Sequence, residues 1–549
     1  MLWKEADCME YVFMTRSFWK EINVSEKRVR KLYKAYLGTK ELHISSREES
    51  IKYLSGITSK IQAEMTNEFK NNNPEKSIKD LYKILDEVYH FYYRQKEARS
   101  KIVEAGINSG EIIDVFSENR NMARNVIDSV NLWLENSLLF QDRLTDAYDK
   151  DAFELNQELC IRMYIYGAAS QALSLIAMSK KFESTELFTG VFIKPYSDVA
   201  IEAEKYHPVI YFNSALAGNQ NVLSDSNELA KADESLFGIG FKSTYNLPFI
   251  YAMSMLATFE SKMLYDGKYA MTVIDKENFI DAIKTYSGGL VNAESFYDTF
   301  VLTKDRIESQ KKRKDEIVWV MNANKHRHEL RPFLCLENER LVISYCAIEQ
   351  AKHLWVSIML NGGMCYSNAK DELTAAIEKR NEELSDKLVD KLRDKLRAHY
   401  KADFDEIDVR YNRIFGQKEI DYGDFDLVFY AKEINELFLI EAKFFSDSLN
   451  NSGVISDYEK MFKEHGYYEH CRGRYDLVLS EPEKMKAFIG AEGNVNAHFL
   501  FVSSKPLEIE FQDKDEIVTF PCLSNFDDYL DGKLLPEVGD IPVRPVHTI

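Results

Sequence analysis

The sequence predicts a multidomain α+β protein: a largely helical N-terminal region, a mixed α/β middle region and a C-terminal α/β domain with a central mixed sheet. At 549 residues the chain is too long for a single hydrophobic core. It has few turn-forming residues, 23 glycines and 11 prolines, which favours helix over long loops. The spacing of apolar residues also changes along the chain, from a helical repeat to short runs typical of strands. The predicted regions are 1–205, 206–365 and 366–549.

The N-terminal region repeats apolar residues three or four positions apart, as at Leu81, Leu85 and Val88. That spacing lines one face of a helix, so we expect helix after helix here. In the middle region, residues 207–212 and 341–345 form short apolar runs that predict strands, and 248–263 predicts a helix between them.

The sequence Asn361-Gly362-Gly363 marks the start of the C-terminal region. A charged amphipathic helix follows, and its apolar face comprises Leu373, Ile377, Leu384, Leu388, Leu392 and Leu396. The pattern then changes to strands at 426–430 and 437–445, a helix around 457–465 and a strand at 498–502. This order predicts a sheet covered by helices.

Composition restricts the possible classes of protein. The net charge of −19 argues against a basic surface that binds nucleic acid nonspecifically. The seven cysteines include no C-x-x-C pair, so we expect a reducing cytoplasm and neither disulfides nor structural zinc. The first residues lack the apolar run of a signal peptide, and no stretch is apolar enough to span a membrane.

A basic cluster at 325–328 has two interpretations. Its side chains could bind phosphate or a metal ion. They could equally form a polar turn before a strand.

The residues that indicate chemistry are Asp426, Glu441 and Lys443. Alternate side chains of a strand share a face, so Glu441 and Lys443 project together from the run 437–445. Both faces of that run are largely apolar, and ionisable groups on a buried strand are costly unless they are paired or bind a metal. If the strand of Asp426 lies alongside, two carboxylates and one ammonium converge. Two carboxylates can hold Mg²⁺, which activates water and stabilises charge on a phosphate.

This arrangement resembles the PD-(D/E)xK nuclease superfamily, whose motif supplies an aspartate, then a glutamate, one spacer residue and a lysine. The matching residues are Asp426, Glu441 and Lys443, which the resemblance implies are catalytic. The family core is a restriction-endonuclease-like succession of helix, three strands, helix and strand, and 380–504 fits it with 411–415 as the first strand. One departure is that no proline precedes Asp426.

The resemblance also implies a bound Mg²⁺ or Mn²⁺ ion. The implied ligand positions are Asp426, Glu441, the spacer Ala442, Asp424 and a glutamate of the first helix, Glu383. Two alternatives stay open, because Asp424 and Asp421 compete with Asp426 for the aspartate role and Glu382 competes with Glu383 for the helix position.

In this family the helix after the catalytic strand often lines the active cleft. The residues that would contact nucleic acid there are Tyr458, Lys460, Arg472 and Arg474. The alternative is that they are ordinary polar residues of an exposed surface.

The resulting prediction is a cytoplasmic, metal-dependent endonuclease acting on DNA, whose N-terminal region regulates or targets it. A bacterial anti-phage or restriction-type effector has this organisation, which is an argument from analogy. We expect a homo-oligomer, with the helical region available to a protein partner, and no membrane. Two alternatives are a catalytically inactive nuclease fold that acts as a binding scaffold or sensor, and a purely structural ion pair between Glu441 and Lys443.

Overall fold

The structure is a computed structural model. It describes residues 18–38, 42–72, 74–104, 110–140, 144, 148–178, 182–187, 193–197, 226–266, 269–309, 327–363, 372–446, 457, 460–463, 465–505, 507, 511–534 and 541–549. The chain is α+β, as predicted, and divides into two compact units. The first comprises Met1–Ala200 and Asn227–Glu378, and the second is built on Lys379–Ile549.

The helices of the first unit, in chain order, are α1 (Phe18–Glu21), α2 (Glu26–Leu37), α3 (Arg47–Asn67), α4 (Pro74–Glu104), α5 (Gly110–Ser137), α6 (Gln157–Met178), α7 (Ser226–Ala230), α8 (Leu236–Tyr245), α9 (Phe249–Asp266), α10 (Lys276–Ser287), α11 (Ala293–Phe300), α12 (Lys304–Glu308) and α13 (Tyr345–Asn361). Its strands are β1 (Leu42–Ile44), β2 (Tyr148–Asp149), β3 (Phe182–Leu187), β4 (Ile193–Ser197), β5 (Tyr269–Asp275), β6 (Val301–Leu302), β7 (Phe333–Cys335) and β8 (Arg340–Ser344). They form two sheets, in the orders β1-β3-β4 and β2-β5-β8-β7-β6.

One hydrophobic core joins the helical and the mixed parts of this unit. A single cluster of buried side chains extends from Phe18 in α1 to Ala347 in α13. The strand predicted at 341–345 is β8 and the helix predicted at 248–263 is α9, whereas the strand predicted at 207–212 lies outside the described residues. The two N-terminal regions distinguished by periodicity therefore pack into the same core.

The basic cluster at 325–328 ends in two buried residues, Arg327 and His328, which precede β7. The Arg327 Nε donates to Glu135 Oε1 at 2.7 Å. The His328 ring lies between Asn131 Oδ1, 2.7 Å from Nδ1, and the Tyr82 hydroxyl, 3.1 Å from Nε2. These two residues form a buried, hydrogen-bonded turn, and the first two residues of the cluster lie outside the described residues.

The second unit begins within α14 (Glu372–His399). Its further helices are α15 (Tyr411–Phe415), α16 (Tyr467–Ser480), α17 (Pro482–Ile489) and α18 (Phe526–Leu530). Its strands are β9 (Phe404–Arg410), β10 (Asp424–Ala431), β11 (Glu436–Lys443), β12 (Asn496–Ser503) and β13 (His547–Thr548).

These strands form one mixed sheet in the order β13-β12-β11-β10-β9. The pairs β9–β10, β10–β11 and β12–β13 are antiparallel, whereas β11 and β12 run parallel, with α16 and α17 in the connection between them. The predicted succession of helix, three strands, helix and strand is present as α14, β9, β10, β11, α16 with α17, and β12.

The leucine face predicted for α14 is buried. Leu384, Leu388, Leu392 and Leu396 are fully buried in a cluster that includes Phe438 and other residues of β10 and β11. Burying four leucines on one helical face fixes α14 against the sheet, because each contributes about 1.5–3 kcal/mol of hydrophobic stabilisation.

The strand predicted at 411–415 is wrong. This segment is the short helix α15, and the first strand of the sheet is β9. Tyr411, Ile414 and Phe415 are all buried, at the three- and four-residue spacing of a helical face rather than the alternation of a strand. Gly416 then ends the helix with a φ of 74°, which glycine adopts at little cost.

None of the helices in the described part of the chain combines the length and the apolar character needed to cross a membrane.

Candidate active site

The three residues predicted to be catalytic come together at the ends of β10 and β11. The Lys443 Nζ lies 2.6 Å from Glu441 Oε1 and 3.1 Å from Asp426 Oδ2. Glu441 is 5% exposed, whereas the Lys443 side chain is 26% exposed. The ammonium therefore bridges two carboxylates on a side chain that is itself partly exposed.

Asp426 lies where the β10–β11 ladder ends. The last paired residues are Leu427 and Ile440, so continuing the register by one residue brings Asp426 opposite Glu441. The Ala442 backbone N–H donates to Asp426 Oδ2 at 2.6 Å. The carboxylate thus accepts from an amide that would otherwise need a strand partner, which fixes its orientation beside Lys443.

A third carboxylate, Asp408, comes from β9. The β9–β10 register, which pairs Phe425 with Val409 and Leu427 with Ile407, brings Asp408 opposite Asp426. The sequence-based prediction omitted Asp408. The sequence held one signal for Asp408: it is an aspartate in a segment whose apolar residues do not alternate strictly.

The backbone is kinked at Asp408, with a φ of 53°. Val409 belongs to one apolar cluster and Ile407 packs against the other, although strict alternation would put both on one face. Aspartate is among the few residues that tolerate positive φ, so it suits this position. The kink leaves the Asp408 side chain exposed at the end of the sheet.

The electrostatics at Asp408 show that carboxylates are crowded here. Burial and the neighbouring charges of Asp426, Asp424 and Asp386 raise the pKa of Asp408, and Lys443 opposes the shift. Like charges this close disfavour ionisation, and a bound cation would relieve them.

The carboxylate of α14 that acts on Asp408 is Asp386, one turn after the two glutamates considered from the sequence. Glu383 lies 3.3 Å from Arg380 in an ion pair on its own helix and is 43% exposed. Glu382 is exposed. The sequence left the helix position open between Glu382 and Glu383, and Asp386 is a third candidate for it.

The two further aspartates near the site share one cation on β9. Arg410 lies 3.2 Å from Asp424 Oδ1 and 3.1 Å from Asp421 Oδ2. Asp421 also accepts from the Gly423 backbone N–H, and that bond is the main cause of its lowered pKa. Asp424 also acts on the carboxylate cluster, because its negative charge raises the pKa of Asp408.

Arg474 of α16 lies inside the site rather than on a surface. Its side chain is 3% exposed and its guanidinium donates to Glu441 Oε2 and to the Tyr422 backbone oxygen. Burial lowers the pKa of Arg474, and Tyr475, Asp426 and Asp424 oppose that shift. The nucleic-acid contact predicted for Arg474 is replaced here by a buried bond to a carboxylate of the site.

The remaining residues predicted to contact nucleic acid differ in their surroundings. Arg472 lies within 3.0 Å of Asp476, Asp513 and Asp515. Lys460 is 46% exposed and lies 3.5 Å from Asp457. Tyr458 lies outside the described residues.

Comparisons with models of protein families, with curated proteins and with solved structures find no match for this chain.

Proposed function

We propose that the C-terminal unit is a metal-dependent nuclease that hydrolyses phosphodiester bonds of DNA. One observation carries this proposal: Asp408, Asp426 and Glu441 lie opposite one another in the register of three neighbouring strands, with Lys443 between two of them. A row of carboxylates beside one ammonium is a costly arrangement for stability alone. It suits a site that handles a cation and a phosphate.

The donor set fits a hard divalent cation. Carboxylate and carbonyl oxygens are the ligands that Mg²⁺ and Mn²⁺ prefer, and Asp426, Glu441, Asp408 and the Ala442 carbonyl would supply them. A bound Mg²⁺ or Mn²⁺ would supply Lewis-acid activation of water and of the scissile phosphate. Lys443 and Arg474 are the two cations that contact Asp426 and Glu441. With Asp408 the site has three carboxylates, which these two cations cannot fully neutralise.

Lys443 is the residue that would act directly on the substrate. Its ammonium is held by Glu441 and Asp426, yet a quarter of the side chain is exposed. Released from one carboxylate, it can orient the attacking water or donate to a phosphate oxygen as negative charge develops there. Asp426, whose carboxylate accepts from the Ala442 N–H, helps to position the ammonium through its contact with Lys443 Nζ.

Contact with DNA must come from a small area of positive charge. The chain carries a net charge of −19, so attraction to a polyanion has to be local. Lys460 is half exposed and is our candidate for a backbone phosphate. We further propose that the N-terminal unit targets or restrains the nuclease, as in restriction-type and anti-phage effectors, and that the protein works as a homo-oligomer in the cytoplasm.

The decisive experiment is a cleavage assay with the full-length protein. Supercoiled DNA, linear DNA and RNA are incubated with Mg²⁺, Mn²⁺ or EDTA. We expect cleavage of DNA with either metal and none with EDTA. Resistance of every substrate with both metals would contradict the proposal.

The variant Lys443→Ala tests the assignment of the site. We expect cleavage to fall at least about 100-fold, the usual effect of losing one charge-stabilising donor. Lys432→Ala is the matched control, because Lys432 lies exposed in the turn between β10 and β11. Circular dichroism and metal titration should show both variants folded and able to bind metal. Full activity of Lys443→Ala would refute the role of Lys443.

A second candidate function is a nuclease fold that binds nucleic acid without cutting it. Arg474 favours it, because a buried guanidinium already occupies one oxygen of Glu441 while Lys443 contacts the other. Calorimetric titration separates the two candidates. The nuclease proposal expects Mg²⁺ or Mn²⁺ binding that weakens in both Asp426→Asn and Glu441→Gln, whereas the binding module expects no site-specific metal at all.

A further inference from the structure

A second cluster of chemically active side chains belongs to the first unit and shares no residue with the candidate active site. Asp86 and His90 are four residues apart on one face of α4, and Cys346 is the second residue of α13. One ligand atom from each residue lies within 4.8 Å of the other two. Asp86 and Cys346 are buried, and His90 is partly exposed.

The separations between the three ligand atoms match those of a tetrahedral metal site. The Cys346 Sγ lies 3.2 Å from Asp86 Oδ1 and 3.6 Å from His90 Nδ1, and His90 Nδ1 lies 3.4 Å from Asp86 Oδ1. Tetrahedral zinc with ordinary Zn–S, Zn–N and Zn–O bonds holds its ligand atoms about 3.4–3.6 Å apart. All three separations agree with this within a few tenths of an ångström.

We propose that Asp86, His90 and Cys346 form a binding site for a transition-metal ion of the Zn²⁺ class. A thiolate and an imidazole select zinc or a similar borderline ion and disfavour Mg²⁺, which prefers oxygen ligands. The site therefore differs in chemistry from the carboxylate cluster of the second unit, and it stands whether or not that cluster is catalytic.

The surroundings offer a path of entry and a nearby carboxylate that could complete the ligand set. The His90 side chain is 38% exposed, so the cluster is open on one side. Glu349 lies one helical turn after Cys346 and interacts electrostatically with both His90 and Cys346. The fourth position of the tetrahedron falls to Glu349 or to water.

Two contacts compete with the metal. The His90 Nδ1 lies 2.7 Å from the Asp86 backbone oxygen, and Lys150 Nζ lies 3.3 Å from Asp86 Oδ2. Metal uptake releases the thiol proton of Cys346, which is donated to Asp86 here, and moves the imidazole proton to Nε2. Lys150 stays protonated, and its ion pair with Asp86 is broken.

The ion would join two helices that are far apart in the sequence. Asp86 and Cys346 are separated by about 260 residues, so a shared metal ties the helical part of the first unit to α13. We expect a structural role, in which the ion stabilises the folded unit because it binds the folded state and not the unfolded chain.

Cobalt substitution of the full-length protein tests the site. Co²⁺ bound to a thiolate absorbs through sulfur-to-metal charge transfer, which a carboxylate site cannot produce. We expect one such Co²⁺ per chain, displaced by Zn²⁺ and unaffected by Mg²⁺. Absence of the band in the wild-type protein would overturn the proposal.

Variants identify the residues that produce the absorption band of the bound Co²⁺. Cys346→Ala should lose the band, whereas Cys160→Ala, the same change at another buried cysteine of the unit, should keep it. His90→Gln alters a partly exposed residue, so folding should tolerate it, and Co²⁺ affinity should fall at least about 10-fold. Lys150→Met removes a competing cation and should strengthen binding. A band that survives Cys346→Ala, or an unchanged affinity in His90→Gln, would refute the assignment.

Discussion

At the scale of single residues, Arg474 determines the electrostatic state of the C-terminal site. Its guanidinium and Glu441 are both almost fully buried, so each depends on the other for its charge. Removing one partner of a buried pair typically costs about 3–5 kcal/mol, because the remaining charge stays desolvated.

We therefore expect Arg474→Gln to lower the free energy of unfolding by about 3–5 kcal/mol without metal. Mg²⁺ should recover much of this loss, since the cation takes the place of the guanidinium beside Glu441. Urea titrations with and without Mg²⁺ measure both effects. Arg413→Gln is the control in the same unit, because Arg413 and its partner Glu406 are both substantially exposed, so its loss should be smaller. Equal losses in the two variants would contradict the explanation.

His328 gives the first unit a dependence on pH. Burial, with the charge of Arg327 as a second cause, lowers the pKa of His328 to about 3. The unfolded chain binds a proton near the ordinary value of 6.5, so between pH 6.5 and 3 the unfolded state holds more protons. Stability contributed by the neutral ring is complete above pH 6.5 and is lost as the pH falls towards 3.

The expected effect is a loss of about 2 kcal/mol between pH 7.5 and pH 5. His328→Gln should remove this part of the pH dependence, although it also weakens the bonds to Asn131 and Tyr82. Urea unfolding at several pH values measures the slope, with His43→Gln as the exposed histidine control in the same unit. A slope in His328→Gln equal to that of the wild type would disprove the role of this ring.

The sequence was informative about residues whose role follows from local pattern. That Asp426, Glu441 and Lys443 lie close together could be predicted, because alternation along a strand and the cost of buried charge are local arguments. The position of Asp408 and the buried pairing of Arg474 with Glu441 could not be predicted. The first depends on which strand pairs with β10, and the second on how α16 packs against the sheet.

At the scale of elements, the kink of β9 combines a strained backbone with a functional carboxylate. Two substitutions separate these roles. Asp408→Gly removes the carboxylate and accepts the positive φ, whereas Asp408→Ala removes the carboxylate and keeps a Cβ atom that the conformation disfavours.

We expect Asp408→Ala to be less stable than Asp408→Gly by about 1 kcal/mol. Both variants should lose metal affinity to the same extent, since both lose the same ligand. Thermal unfolding and metal titration measure the two quantities. If the variants are equally stable, the kink relaxes without cost; if metal affinity stays that of the wild type in both, Asp408 is not a ligand.

The elements themselves were predictable to different degrees. The leucine face of α14 and the apolar runs of β10, β11 and β12 are regular, and each is present. The strand β9 was missed because its kink at Asp408 breaks the alternation that identifies a strand. The buried residues of α15 instead attracted the prediction, since a short apolar run fits a strand as well as a helix.

At the scale of the whole molecule, we expect the N-terminal region to restrain or direct the nuclease. It is about twice the size of the C-terminal unit, and the acidic chain as a whole disfavours indiscriminate capture of DNA. A fragment beginning near Ser367 keeps all of α14, whose leucines are buried in the core of the second unit.

If restraint is correct, this fragment should cut more substrates than the full-length protein. If the region is needed for assembly, the fragment should be monomeric and weakly active. Circular dichroism matches the folded concentrations, and sedimentation gives the oligomeric state. Identical rates, substrate range and oligomeric state would leave the N-terminal region without a role in cleavage.

At this scale, contacts between residues that are far apart in the sequence could not be predicted. The sequence suggested no structural zinc because no C-x-x-C pair occurs. The Asp86, His90 and Cys346 cluster depends instead on α4 and α13 packing together across about 260 residues, and no local spacing encodes that contact.

The position of β13 has a consequence for synthesis on the ribosome. This edge strand pairs with β12, and Ile549 exchanges backbone hydrogen bonds with Val495 in both directions. It follows β9 by about 140 residues, so at about 5–20 residues per second it emerges on the order of ten seconds later. The five-stranded sheet that carries the carboxylate cluster gains its last strand only after that interval. A cell making this protein therefore has the N-terminal unit synthesised and able to fold well before the C-terminal sheet is complete.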